Sequence, residues 1–213
     1  MRATPHLRGG LPARLVVLVA GLFLFAVGTV CFLESRLGLP PWDVFHQGIA
    51  KHTPLSFGQA IIVTGLVVVA VAWRLGARIG IGTLANATLI GAFVELLTAI
   101  DAVDSLSDAS LVARIGLLAA GVLTIGLGSG LYLGAQLGAG PRDSLMVVGA
   151  QRTPFRIAAV RAALEIAALL AGIGLGGTVG VGTLAFALLV GPSVELGFWV
   201  LLRTRLAVPA PAY

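Results

Sequence analysis

Residues 80–96 read GIGTLANATLIGAFVEL, and residues 180–196 read GVGTLAFALLVGPSVEL. The second stretch repeats Gly80, Gly82, Thr83, Leu84, Ala85, Gly91, Val94, Glu95 and Leu96 of the first at an offset of 100. Followed outward in both directions, residues 11–100 align with 111–200 without a gap, and 28 of the 90 pairs are identical. Leu37, Gly38, Pro41 and Asp43 in LGLPPWD face Leu137, Gly138, Pro141 and Asp143 in LGAGPRD, and Thr53-Pro54 faces Thr153-Pro154. An ungapped match with uncommon residues in register marks an internal duplication.

Each copy carries three apolar runs of the roughly 20 residues that cross a bilayer core. They are 15–33, 55–73 and 79–100 in the first copy, and 115–133, 157–177 and 179–202 in the second. The first run follows Arg2, Arg8 and Arg14 as a signal peptide would, but a signal core is shorter, and the equivalent run at 115–133 is internal. It therefore counts as a retained span. The composition agrees: 58% of the 213 residues are hydrophobic, 11% are charged, and the mean hydropathy is +1.02. A soluble domain carries about 25% charged residues, so these charges could not cover a globule of this size. Most soluble enzyme classes are excluded, and so is intrinsic disorder. The chain reads as all-α: one integral membrane domain over 1–213, a six-span bundle of two repeats joined by an acidic loop near 101–110.

An odd number of spans per copy makes the second copy enter the membrane from the opposite side, so the repeats should be inverted. Lys and Arg total 14 against 9 Asp and Glu. With the N-terminus cytoplasmic, eleven arginines fall inside (2, 8, 14, 74, 78, 142, 152, 156, 161, 203 and 205). Arg36, Lys51 and Arg114 fall outside, with the acidic loop of Asp101, Asp104 and Asp108. This satisfies the positive-inside rule and puts both termini in the cytoplasm of a bacterial plasma (inner) membrane. It also explains the net charge of +5 without nucleic acid as a partner.

Between the first and second spans of each copy lies a segment too short to cross, GLPPWDVFHQGIAKHTP at 38–54 and GAGPRDSLMVVGAQRTP at 138–154. Pro41 and Pro141 break the incoming chain, and Asp43 and Asp143 stand where an N-cap or first-turn residue accepts backbone N–H groups. Seven or eight helical residues are expected, roughly 10 to 12 Å. Two readings stay open. An interfacial helix lying flat is favoured by His46, Gln47, Lys51 and His52. A pair of re-entrant half-helices meeting near the midplane is favoured by the apolar 144–150 stretch, and broken helices at matching positions of inverted repeats point to a transport site.

Ionisable groups within spans are costly and mark function by default. Glu95 and Glu195 are repeat equivalents two-thirds along their helices, while Glu165 stands four residues after Arg161, the spacing of a helix-stabilising pair. Gly80-Ile81-Gly82-Thr83 and Gly180-Val181-Gly182-Thr183 open the third spans, where an anion could sit on the helix N-terminus or a neighbouring helix could pack closely. Asn86, matched by Phe186, is polar on one side only, and Gly130/Gly134 and Gly172/Gly176 have packing spacings. Trp42, Trp73 and Trp199 read as interfacial anchors. The candidate binding or coupling residues are thus Asp43, Asp143, Trp42, Arg142, Glu95, Glu195, Thr83, Thr183 and Asn86. No catalytic or metal-ligating set emerges: Cys31 is alone, and His6, His46 and His52 are scattered. No cofactor motif is present, and the Gly-x-Gly strings lie in apolar runs.

LGLPPWDVFHQGIA followed by GIGTLANATLIGAFVEL resembles the YczE/YyaS/YitT group of bacterial multi-spanning inner-membrane proteins, in which a Gly-x-x-Pro-Trp-Asp segment precedes a Gly-x-Gly-Thr-Leu segment. The likeness covers roughly residues 14–200. The second copy departs, with Arg142 in place of Trp and Phe186 in place of Asn, so a site need not be symmetric. The resemblance implies a plasma-membrane protein of a family with no firmly assigned activity. The leading expectation is a small secondary transporter or exporter of a small solute. The alternative is a non-transporting scaffold or regulator binding a partner or lipid; a channel or an intramembrane enzyme has little support. The partners expected are the lipid bilayer, a small-molecule substrate and, as an open option, a second copy of the chain.

Overall fold

A computed structural model describes residues 6–7, 9–204 and 207–208. Arg2, Arg8 and Arg205 of the basic set, and the side chains of His6 and Asp104, lie outside the described residues. Nine α-helices are formed there: α1 (Leu11–Ser35), α2 (Pro41–His52), α3 (Phe57–Arg74), α4 (Ile81–Thr98), α5 (Asp101–Asp104), α6 (Leu111–Gly134), α7 (Pro141–Arg152), α8 (Ile157–Gly174) and α9 (Val181–Arg203). A 3-10 turn, Ser105–Asp108, follows α5, and the two-residue strands β1 (His6–Leu7) and β2 (Ala207–Val208) pair antiparallel. Six helices, α1, α3, α4, α6, α8 and α9, are long and apolar enough to cross a bilayer. The chain is a multi-pass helical membrane protein.

The duplication survives folding almost residue for residue. α2 and α7, and α3 and α8, have the same bounds 100 residues apart. α1 and α6 form the centre and run antiparallel. A methyl group on Gly21 would lie 2.8 Å from the Gly128 carbonyl oxygen, and one on Gly121 would lie 3.1 Å from that of Gly28. Only glycine lets the two backbones approach this closely. At one end Arg14 donates to the carbonyl oxygens of Ala135 (2.8 Å) and Gln136 (2.7 Å); at the other Arg114 donates to those of Ser35 (2.7 Å) and Arg36 (3.2 Å). Each arginine thus caps the C-terminus of the opposite helix, where carbonyls lack partners and cations are favoured. The Gly82 N–H donates to Leu137 O and the Gly182 N–H to Leu37 O, both at 2.8 Å. Each contact recurs with the copies exchanged, the relation a two-fold axis across the α1/α6 pair produces.

The bundle has two ends. At the termini face, Leu7 and Ala207 are buried in one cluster with Leu18, Ala135 and Leu201. At the loop face, Arg36 lies 3.8 Å from Asp108 of the connecting loop. From α1, the chain turns at Gly38, where φ is +113°, and Leu39 donates to Thr178 O; from α6 it turns at Gly138, where φ is +132°. Those backbone angles are open to glycine and costly for other residues.

The flat interfacial reading of the short segments does not hold. Asp43, Val44, His46 and Gly48 of α2 are buried, His46 to 1% exposure. The first turns of both helices line one cavity with Thr29 of α1, Thr64 of α3 and Asn86 of α4, and their last turns lie back at the face each came from. At the loop face Lys51 donates to Gly176 O beyond α8, and at the termini face Arg152 donates to Leu75 O beyond α3. Each has 12 residues rather than seven or eight, roughly 18 Å, still too short to cross. Of the four polar residues that suggested an interface, His46 is paired inside and the Gln47 side chain accepts from the Thr178 N–H at 2.7 Å, while Lys51 and His52 at the far end of α2 are exposed. Asp43 and Asp143 stand in the first turn and are not the N-caps, which are Pro40 and Gly140.

Candidate functional site

The N-termini of α2 and α7 meet on the wall of a cavity of about 1200 Å³. Around it stand residues from the second halves of α1 and α6, from the middle of α3 and the first half of α4, then Arg161, Leu164 and Glu165 of α8, and mostly the second half of α9. One wall is therefore built by four helices from both copies. The other is the space between α8 and α9.

At the meeting point Arg142 stacks on Trp42, its guanidinium carbon 4.8 Å from the ring centroid, and one of its nitrogens lies 4.0 Å from Asp43 Oδ1. That is an ion pair without a hydrogen bond, and no described residue gives the guanidinium a hydrogen-bond acceptor, so its five donors are available to the cavity. The His46 Nδ1–H donates to Asp43 Oδ1 at 3.1 Å, holding that carboxylate from behind. Across the site the Tyr132 hydroxyl donates to Asp143 Oδ2 at 3.1 Å. Gly140 brings this group together: a methyl there would lie 3.3 Å from Asp143 Oδ2, 3.4 Å from the Tyr132 oxygen and 3.5 Å from Asn86 Nδ2. Two carboxylates, one guanidinium and two helix N-termini thus share a small volume on the cavity wall, among apolar helices where unpaired charge is costly.

Five of the nine sequence candidates, Asp43, Asp143, Trp42, Arg142 and Asn86, converge here, and Glu195 lines the same cavity from α9. Trp42 is thus no interfacial anchor. Trp73 is 66% exposed near the end of α3, and Trp199 lies under Arg203, whose guanidinium carbon is 4.0 Å from its ring. Glu95 does not line the cavity; it accepts from the Ser56 hydroxyl at 2.6 Å. Thr83 and Thr183 accept from the N–H groups of Gly80 and Gly180, each at 3.3 Å, and so cap their own helices. Glu165 pairs with Arg161 at 3.1 Å, as its spacing implied. Gly130 and Gly172 pack against the backbones of Gly197 and of Val44-Phe45.

Sequence reasoning missed Tyr132, the pairing role of His46, and the equivalent hydroxyls Thr29 and Ser129. Thr88, Thr98 and Thr124 donate to the carbonyl four residues earlier, the usual arrangement within a helix. Thr29 is 1% exposed and its hydroxyl has no partner among the described residues, although it borders the cavity. The signal available was a Thr and a Ser at matching positions of two otherwise apolar helices. Among the described residues no group of His, Cys, Asp and Glu could hold a metal ion.

The model for a family of unknown function (DUF6198) matches residues 12–197. An uncharacterized membrane protein, YczE, of Bacillus subtilis is 35% identical over 206 residues, covering 90% of this chain and 92% of the relative. An uncharacterized protein of Haemophilus influenzae is 37% identical over 187 residues, covering 88% and 84%. No solved structure matches the chain.

Proposed function

We propose that this chain, which belongs to the family of unknown function DUF6198, is a small secondary transporter or exporter that moves a small solute through the central cavity. The observation that carries the reading is the meeting of the two short helices at mid-span, with Arg142 between Trp42 and Asp43 on the cavity wall. A merely structural protein has little use for a half-buried guanidinium that lines a cavity beside two carboxylates without a hydrogen bond, because taking such groups even partly out of water is costly. A solute site does: half-helix N-termini at the interface of repeated units, near the midplane, are a recurring design of transporter sites.

The two copies then stand inverted in the membrane. The antiparallel α1/α6 pair and the reciprocal contacts support this, as do three spans per copy. We place both termini in the cytoplasm of a bacterial inner membrane. β1 pairs with β2, which brings the two termini to one face. Arg142 belongs to the site and leaves the topological set, but of eleven inside arginines ten remain against three basic residues outside.

A screen of small polar and amphipathic solutes by thermal shift on the purified protein tests the reading. A solute that raises the melting temperature of the native chain, and fails to raise that of the Asp43→Asn/Asp143→Asn variant, is the expected result. If every solute leaves the melting temperature unchanged, or stabilises both proteins equally, the cavity is not the solute site.

A further inference from the structure

The two copies depart from their own symmetry in one place. α3 and α4 are packed together: a methyl on Gly58 would lie 2.5 Å from the Gly91 carbonyl oxygen, and the Ser56 hydroxyl donates to Glu95 at 2.6 Å. Gly58, Ala87 and Gly91 are buried. Their equivalents Ala158, Ala187 and Gly191 are all exposed, and a methyl on Gly191 would have nothing within 4 Å. The cavity runs out between the first half of α8 and the second half of α9, so it opens toward the termini face and is shut at the loop face.

The residues that shut the loop face have counterparts at the open end. Glu195 stands where Glu95 does, and Arg156 stands where Ser56 does. Arg156 is exposed at the N-cap of α8, and neither it nor Glu195 makes an ion pair or side-chain hydrogen bond among the described residues. The exchange of Ser for Arg matches the neighbouring sizes. Gly58 lets α3 sink onto α4, so a serine reaches its glutamate. In the second copy Ala158 and Glu165 replace Gly58 and Gly65, the helix-facing glycines of α3, and the α8/α9 gap is wider, a distance an arginine has the extra reach to span.

We infer that Arg156 and Glu195 are the gate of a second conformation, in which α8 closes on α9 at the termini face while α3 and α4 part at the loop face. The inference deepens the transport reading, and rests on it for its purpose. A site held at the interface of two related copies becomes accessible from either side when they exchange their two arrangements. Glu95 and Glu195 are then gate carboxylates at opposite faces, not solute ligands. An Arg–Glu pair exposed at the membrane surface is weak enough to open and close readily.

The test uses the full chain in membranes, with Cys31→Ala as background and a short bis-methanethiosulfonate reagent as the bridge. Three cysteine pairs are compared: Ser56→Cys with Glu95→Cys, Arg156→Cys with Glu195→Cys, and Arg156→Cys with Leu184→Cys, the last at opposite ends of α8 and α9. Bridging is read as protection from a later maleimide of high mass. Protection of the 56/95 and 156/195 pairs, with none of 156/184, is the expected pattern. Equal labelling of 156/195 and 156/184, with 56/95 protected, overturns the gate.

If the cysteine pairs do not fold, charge variants carry the test. Arg156→Glu should raise the rate at which a membrane-impermeant maleimide, added at the termini face, labels a Ser129→Cys thiol, and adding Glu195→Arg should restore it. A rate unmoved by either change overturns the gate. Bridging at 156/195 in a protein that moves no solute keeps the second conformation and removes the transport reading, whereas transport without bridging removes the gate alone.

Discussion

Thr29 shows how a single residue can report a site. A buried hydroxyl without a partner costs about 1–3 kcal/mol, and this one borders the cavity, whereas Thr88, Thr98 and Thr124 satisfy themselves on their own helices. Thr29→Val should therefore leave the melting temperature unchanged or raise it, while weakening binding of a stabilising solute roughly three- to ten-fold, the worth of one net hydrogen bond. A fall in melting temperature with solute affinity intact would mean that the hydroxyl serves the fold instead. Tyr132→Phe makes the opposite prediction. It strips Asp143 of the hydroxyl donor at 3.1 Å and should cost about 1–3 kcal/mol in denaturation of the detergent-purified protein. Asp43, Asp143 and Arg142 were legible in the sequence because they are ionisable groups beside helix-breaking prolines at equivalent positions. Tyr132 and His46 were not, because each matters through a partner that only folding places at its side.

Among the elements, α1 and α6 show how far small residues decide the packing. A methyl on Gly28 would come within 2.6 Å of Ile125 and 2.9 Å of the Gly121 carbonyl oxygen, whereas one on Gly116, on the same helix pair, would meet nothing within 4 Å. Gly28→Ala should destabilise by about 1–3 kcal/mol through overpacking, and Gly116→Ala should be neutral or stabilising by up to about 1 kcal/mol through helix propensity. Comparable losses at both positions in thermal unfolding would refute the close approach as the cause. The six spans were readable because hydropathy is local to each segment. The depth of α2 and α7 was not, because 38–54 and 138–154 are polar or apolar to the same degree on either reading. What decides the matter is where Gly38 and Gly138 turn the chain and what α8 and α3 offer it, which no stretch of twenty residues contains.

For the molecule as a whole, the duplication in the sequence became a reciprocal set of contacts, down to Arg14 and Arg114 capping each other's helices. The departure from that symmetry between α8 and α9 left its traces in the sequence where Ser56, Gly58 and Gly65 give way to Arg156, Ala158 and Glu165. Reporter fusions in the 101–110 loop and after residue 203 should land on opposite sides of the membrane, the second in the cytoplasm; both on one side would break the inverted arrangement. The central claim is that the short helices of the two copies form a solute site at mid-membrane. Uptake or export of a stabilising solute by proteoliposomes, compared between the native chain and the Asp43→Asn/Asp143→Asn variant, tests it most directly. Transport by the native protein and none by a variant that is equally folded is the predicted result, and equal transport by both would contradict it.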